Sequence, residues 1–164
     1  MLSTEIIDQT VLRGAFAAFP TGVVALAGVV DGRPNVLVAS SFAVGVSQTP
    51  PLTMFAVQKT SGTWPLLREL SSLGVSVLAE SHESTIRQMS AKDHGQRFAG
   101  VEHTVLPTGA VVLDGAPVQF ECTIENIHPA GDHDIVVLRI LNLASDQTCQ
   151  PLVWHRSMCT KLSA

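Results

Sequence analysis

Apolar positions recur at two periods along this chain, and the switches between them mark its elements. Ile7, Val11, Leu12, Ala15, Phe16 and Phe19 follow helical spacing and form one stripe. Ser3 or Thr4 is placed to cap that helix, Glu5 and Asp8 lie near its positive end, and Pro20 stops it. Most of the rest reads as strand. Val23–Val30 is a Val-rich run of strand length, Asp31-Gly32 is a tight turn, and Asn35–Ala39 is a second strand. Ser47–Pro51 holds turn residues and two prolines, and Leu52–Val57 follows as a strand. Trp64–Leu70 predicts a short helix with Pro65 in its first turn, and Glu83–Met89 predicts another. Between them Gly74–Ala79 is a strand. Residues 92–100 are polar and predict a loop, and Val101–Leu106 and Ala110–Leu113 are short strands. Val118–Ile127 alternates, with Val118, Phe120, Cys122, Ile124 and Asn126 on one face. Asp134–Leu143 is a long strand and Leu152–Trp154 a last short piece. Six to eight strands without regular intervening helices predict a mainly β, antiparallel barrel or sandwich rather than a doubly wound parallel sheet.

Composition narrows this picture. The 164 residues suit one domain, 1–164. Charged residues are only 15%, against about 25% in ordinary domains, so part of the surface is expected to be covered by self-association or an apolar ligand. Net charge is −4 with no Lys/Arg run, which argues against a nucleic-acid partner. No apolar stretch is long enough to span a membrane, and the N-terminus lacks a basic signal-peptide region. Three cysteines without framework spacing point to a reducing, cytoplasmic setting.

The chain has no dinucleotide-binding glycine fingerprint, Walker loop, H-E-x-x-H, G-x-S-x-G or tyrosine. Cys149, His155 and Cys159 lack zinc-site spacing, so no metal is expected. Four segments remain. Phe19-Pro20-Thr21-Gly22 joins a helix end to a strand, and by itself reads as an ordinary helix stop. Val38-Ala39-Ser40-Ser41-Phe42 runs a strand out into two hydroxyls, either a phosphate cradle or a Ser-rich strand end. Lys59, Thr60, Ser61 and Thr63 precede a helix and exceed what capping alone requires, which suits an anion. Lys92–Phe98 is a loop with two cations and an aromatic, equally readable as a solvated surface. Together they suit a flat, phosphate-bearing cofactor at a barrel mouth or subunit boundary.

The ordered set Phe-Pro-Thr-Gly-Val, Asp-Gly-x-Pro, Ala-Ser-Ser-Phe, x-Pro-Pro-Leu, Val-x-Val-Leu-Ala-Glu, Arg-Phe, Leu-Asp-Gly-Ala, Glu-Cys, Ala-Gly-Asp-His and Pro-Leu-Val-x-His-Arg resembles the flavin reductase-like family from about Phe16 to Arg156. The resemblance implies an FMN-binding split β-barrel of Greek-key topology, a few short peripheral helices, and a homodimer with flavin near the subunit boundary. It implies hydride transfer from NADH or NADPH to N5 of FMN or FAD, and delivery of reduced flavin to a flavin-dependent monooxygenase. By that resemblance Pro20, Thr21, Gly22 and Val23 lie along the flavin. Ala39, Ser40, Ser41 and Phe42 face its ribityl chain or phosphate, and Lys59, Ser61 and Thr63 hold the phosphate end. Lys92, Arg97 and Phe98 complete the site, and His133, His155 and Arg156 stand on the nicotinamide side. The cofactor carries the redox chemistry, so no catalytic dyad is required, and His133 is the nearest candidate for a catalytic side chain. The family's ending Tyr-His-Arg-Gly-x-Tyr is here Trp154-His155-Arg156-Ser157-Met158-Cys159. That departure keeps an alternative open, a flavin-binding split-barrel protein that does not use nicotinamide.

Overall fold

The computed structural model describes residues 8–162. Helix α1 (Gln9–Ala17) is capped by Asp8, whose carboxylate accepts from the N–H groups of Thr10 and Val11 at 2.8 and 3.2 Å. The cap expected at Ser3 or Thr4, and Ile7 of the stripe, lie outside the described residues. The chain then forms β1 (Thr21–Gly22), β2 (Val24–Val30), β3 (Arg33–Ala39), β4 (Ala43–Gln48) and β5 (Pro51–Gln58). Helix α2 (Trp64–Leu67), β6 (Leu73–Val77) and α3 (Glu83–Met89) follow, with 3-10 turns at Glu80–His82 and His94–Gln96. Then come β7 (His103–Val105), β8 (Val111–Leu113), β9 (Val118–Ala130), β10 (His133–Ser145), β11 (Val153–His155) and β12 (Met158–Thr160).

The main sheet has seven strands in the order β3-β2-β6-β9-β10-β5-β4, and every neighbouring pair is antiparallel. Smaller sheets are β1-β11-β12 and β7-β8. The chain is therefore mainly β and antiparallel with small helices. Its described helices reach nine residues at most, too short for the crossovers that parallel pairing needs. Strands β3 and β4 end the order, and among the described residues no ladder joins them.

Strand β2 is buried on both faces, which is why its sequence reads as an unbroken apolar run. Val24 and Leu26 enter one core with Phe55, Leu73, Val136 and Leu138. Val23, Ala25 and Ala27 enter the other with Val36, Leu78, Leu113 and Leu152. Each large apolar side chain sealed in these cores contributes roughly 1.5–3 kcal/mol. Asp31 and Gly32 join β2 to β3 at φ of 51° and 75°, a two-residue turn whose twist matches the strands.

Several sequence expectations need correction. The Val23–Val30 run holds as one strand from Val24, but Thr21–Gly22 just before it forms an unanticipated short strand that pairs with β11. Helix α2 ends at Leu67 rather than Leu70. Strands β4 and β12 were not anticipated, being short or interrupted by Gly45 at φ 73°. The alternation along β9 fails because the ladder to β10 shifts register between Val137 and Leu138 and again between Ile140 and Asn142. The first shift leaves Glu125 unpaired and reverses the parity beyond it, so Ile127 packs on the core while Asn126 is exposed.

Candidate functional site

The site grows from the place where β5, the loop after it and the β9–β10 turn meet. The backbone N–H of Lys59 donates to Asp132 O at 3.0 Å, and Lys59 Nζ donates to Gly131 O at 2.6 Å. Nζ also lies 3.9 Å from Asp134 Oδ1. Lys59 thus pins the turn and leaves part of its ammonium exposed. Two residues on, Ser61 Oγ accepts from Trp64 N–H at 3.1 Å, so Ser61, and not Thr63, caps α2.

Strand β3 brings the opposite wall. A hollow of about 260 Å³ opens between Ala39 and Ser41 on one side and Ala56, Gln58, Ser61 and His133 on the other. Leu37, Val38 and Val57 give it an apolar floor. Ser41 Oγ donates to Ala56 O at 2.7 Å and accepts from Ala56 N–H at 3.1 Å. Because Ala43 pairs with Met54, position 41 falls opposite Ala56, and the Ser41 side chain stands in for a missing ladder bond. His133 Nδ1 donates to Asp132 Oδ1 at 2.7 Å. That bond holds Asp132 below the usual carboxylate range, and an ionised carboxylate only accepts, so Nδ1 carries the hydrogen. Nε2 is left as the nitrogen free for a ligand.

Arg97, which the resemblance counts among the residues that complete the site, lies buried in a hydrogen-bonded junction. It is only 8% exposed. Its Nη1 donates to Val36 O and to Thr63 Oγ1, each at 2.8 Å, and its Nε donates to Ala91 O at 2.7 Å. It ties β3, the loop before α2 and the loop after α3 together. Burial pulls its pKa down, but a guanidinium stays charged, and among the described residues no carboxylate pairs with it.

A second group forms on the small sheet. Thr21 pairs with Trp154 and Gly22 with Val153, which brings Pro20–Val23 beside His155 and Arg156. The two groups adjoin, because Val24 pairs with Ala39 at the end of β3. Thr21 Oγ1 is sealed from solvent without a hydrogen-bond partner, an orphan that a ligand atom would satisfy. Arg156 N–H donates to Ala17 O at 2.7 Å and docks the β11–β12 turn on α1.

Other expected residues stand apart. Ser40 is exposed beside the hollow without lining it, and Phe42 stacks on Phe120 with centroids 6.4 Å apart. Lys92 lies in a separate surface depression with Arg87 and Gln88. Phe98 packs against His103 and lines a different hollow near Arg33. Gln58 and Ala56 were missed as lining residues. Their position at the end of β5, just before the hydroxyl-rich loop, was the signal available.

Comparison with known proteins completes the description. A family model described as "Flavin reductase like domain" matches residues 16–163. The chain belongs to the flavin reductase-like family. It is 32% identical over 159 residues to the reductase subunit HsaB of a flavin-dependent monooxygenase from Rhodococcus jostii, covering 97% of this chain and 80% of that protein. It is 37% identical over 149 residues to the actinorhodin polyketide dimerase of Streptomyces coelicolor, covering 90% and 82%. Its fold superposes with a TM-score of 0.87 on the NADH:FAD oxidoreductase SgcE6 of Streptomyces globisporus, solved in complex with NAD and FAD fragments, at 26% identity and 98% coverage of each chain. Within this flavin reductase-like chain, the position where the family pattern has glycine holds Ser157 at φ 61°.

Proposed function

We propose that this chain is an NAD(P)H-dependent flavin reductase that passes hydride from NADH or NADPH to FMN or FAD and supplies reduced flavin to a partner monooxygenase. One observation carries the reading: Ala39, Ser41, Ser61 and His133 converge on one hollow, with Lys59 at its rim, in a chain with this family's fold. The residues suit the cofactor. The floor is apolar for a flat ring, Ser61 lines the hollow, and the Lys59 ammonium on the adjoining turn is near enough in sequence to serve a phosphate with it. The orphaned Thr21 hydroxyl awaits a polar ligand atom.

In that role Lys59 and Ser61 hold the phosphate end, and Thr63 is held in place by Arg97. Pro20, Thr21, Gly22 and Val23 lie along the flavin, with Ala39, Ser40 and Ser41 toward its ribityl chain. His133, fixed by Asp132, offers Nε2 on the nicotinamide side, and His155 and Arg156 stand there too. Bound flavin supplies the redox centre that accepts the hydride. The protein's task is to align the two rings and exclude water.

The fold is read as a split barrel of Greek-key topology, and the molecule as a homodimer. A hollow of about 260 Å³ is small for a whole flavin nucleotide, since ligand sites run to roughly 300–1,000 Å³. A second copy completes it. Among the described residues no helix is long and apolar enough to cross a membrane, and three free cysteines suit a reducing cytoplasm.

A second reading has its own support. The C-terminal motif lacks both family tyrosines, and a 37%-identical relative is named a polyketide dimerase. Under it the chain binds flavin without using nicotinamide. Anaerobic mixing with each flavin and each nicotinamide separates the two. Bleaching of the flavin's visible absorbance at catalytic protein concentration supports the reductase. Binding without bleaching supports the second reading, and no flavin binding removes both.

A further inference from the structure

The turn that carries His133 is tied down by a single side chain from another hairpin. Ala130 pairs with His133, so Gly131 and Asp132 alone join β9 to β10. Lys59 takes both carbonyls of that loop: its N–H donates to Asp132 O at 3.0 Å and its Nζ to Gly131 O at 2.6 Å. We propose that Lys59 is a positioning residue for the hydride donor, holding the Gly131 carbonyl so that the turn keeps one conformation and His133 keeps its place beside the hollow. The proposal rests on the reductase reading above and deepens it.

The backbone shows what the bond decides. Gly131 has φ 64°, and Asp132 does not share the left-handed region, so this is the two-residue hairpin turn with glycine first. The alternative turn needs both central residues at positive φ, and aspartate tolerates that conformation. The two turns differ chiefly in the direction of the peptide between the central residues. Gly131 O is the oxygen of that peptide, and Lys59 Nζ holds it. Pairing of His133 with Gln58 sets the register of β10 on β5 but leaves that peptide free to face either way.

Nothing local replaces the clamp. The His133–Asp132 hydrogen bond joins two neighbours on the same turn, and the Asp132 side chain is 93% exposed, so the bond moves with the turn. Asp134, just beyond His133, lies 3.9 Å from Nζ, which places Lys59 against residues on both sides of the histidine. The hydrogen bond from His133 is the first cause that lowers the Asp132 pKa, and the Lys59 charge acts in the same direction. Asp132 therefore stays an acceptor for Nδ1–H, and Nε2 remains the nitrogen that faces a ligand. An ammonium has three hydrogens and the carbonyl takes one, so this task is compatible with a phosphate contact by the same side chain.

Steady-state NADH kinetics at saturating flavin are compared for the wild type, K59M, H133A and K59M/H133A. Flavin affinity is measured separately by fluorescence titration, and the unfolding midpoint checks each protein. The Lys59 side chain is 44% exposed, so K59M is expected to fold, and K59A is the second variant, read by the same criteria. K59M is expected to raise the KM for NADH about tenfold while kcat moves less than twofold, whereas a loss of folded enzyme lowers kcat and leaves KM alone. Because Lys59 acts through His133, the double variant is expected to match the KM of H133A. An unchanged KM in folded K59M overturns the proposal, including when flavin affinity alone falls. So does an H133A enzyme with the wild-type KM, or a double variant whose KM exceeds that of H133A by the full K59M factor. In each of these cases the wild type still oxidises NADH and the reductase reading stands. A wild type that binds flavin without oxidising NADH overturns that reading, and the proposal with it.

Discussion

Single residues carry two kinds of strain here, conformational and electrostatic. Ser157 sits at φ 61° beside Arg156 at φ 51°, in a turn whose backbone favours glycine. A side chain in that region costs about 1–2 kcal/mol, while glycine loosens the unfolded chain by roughly 0.4–1 kcal/mol. S157G is therefore expected to stabilise the protein by about 0.5–1 kcal/mol, read as a higher urea midpoint. Glu121 is the electrostatic case. It is 9% exposed and among the described residues pairs with no cation, yet Thr108, Asn142 and Ser72 donate to it at 2.6, 2.7 and 3.1 Å. Those hydroxyl and amide donors, Thr108 foremost, hold its pKa below the ordinary 4.5 despite burial. A lowered folded-state value means that its stabilisation is full above 4.5 and is lost as pH falls through the folded value. Wild-type stability is expected to drop more steeply in that acid window than that of E121Q, which starts lower at neutral pH. Parallel profiles would show that the charge contributes nothing. Beside Glu121, burial and the neighbouring carboxylate push the Cys122 thiol up to about 12, so it stays protonated and unreactive in the folded protein.

Elements show where close packing overrides local preference. In β6, a Cβ on Gly74 would run into the backbone carbonyl of Val111 on β8, which has no flexible end to move aside. G74A is expected to destabilise by roughly 2–4 kcal/mol, because β6 and β8 must separate, and the loss should appear in thermal unfolding. Nothing in the sequence marks that glycine, since it reads as one more residue of an apolar run. The strands that bury whole faces were legible for the converse reason. Val24–Val30 and Leu52–Val57 are apolar at every position but Gly28 and Thr53, and much of each strand lies in the two cores. The β9 pattern misled because a bulge at Glu125 depends on its partner β10, and pairing is not written in either strand alone. The site shows the same division. The hydroxyl-rich strand end at Ser41 and the loop at Ser61 were readable by type and place. The burial of Arg97 was not, because its bonds to Val36 and Thr63 join segments remote in the sequence. Lys92, which the resemblance counts with the site, lies in another depression.

The molecule as a whole exposes more than a compact monomer should. Its accessible surface is 10043 Å², against about 7,900 Å² expected for a monomer of this mass. Large apolar side chains contribute to it. Val11 and Phe16 on α1 and Phe19 just beyond it are 68–71% exposed, so of the described stripe these three large side chains find little to pack on within one chain. Val44 on β4 and Leu143 near the end of β10 are 68% and 67% exposed. Strand β4 also ends the main sheet with an irregular ladder that a second copy could cover. The homodimer proposed above would hide these side chains and complete the site, and so would account for both the low charge density and the undersized hollow. Sedimentation at micromolar concentration is expected to give the dimer mass. V44D and L143D alter residues that a single chain leaves in water, so they should keep the secondary structure while shifting the equilibrium to monomer. If the flavin site is shared, their flavin affinity falls in step with the dimer fraction. Full flavin affinity in a demonstrated monomer would detach the site from self-association and leave the exposed stripes for a different partner.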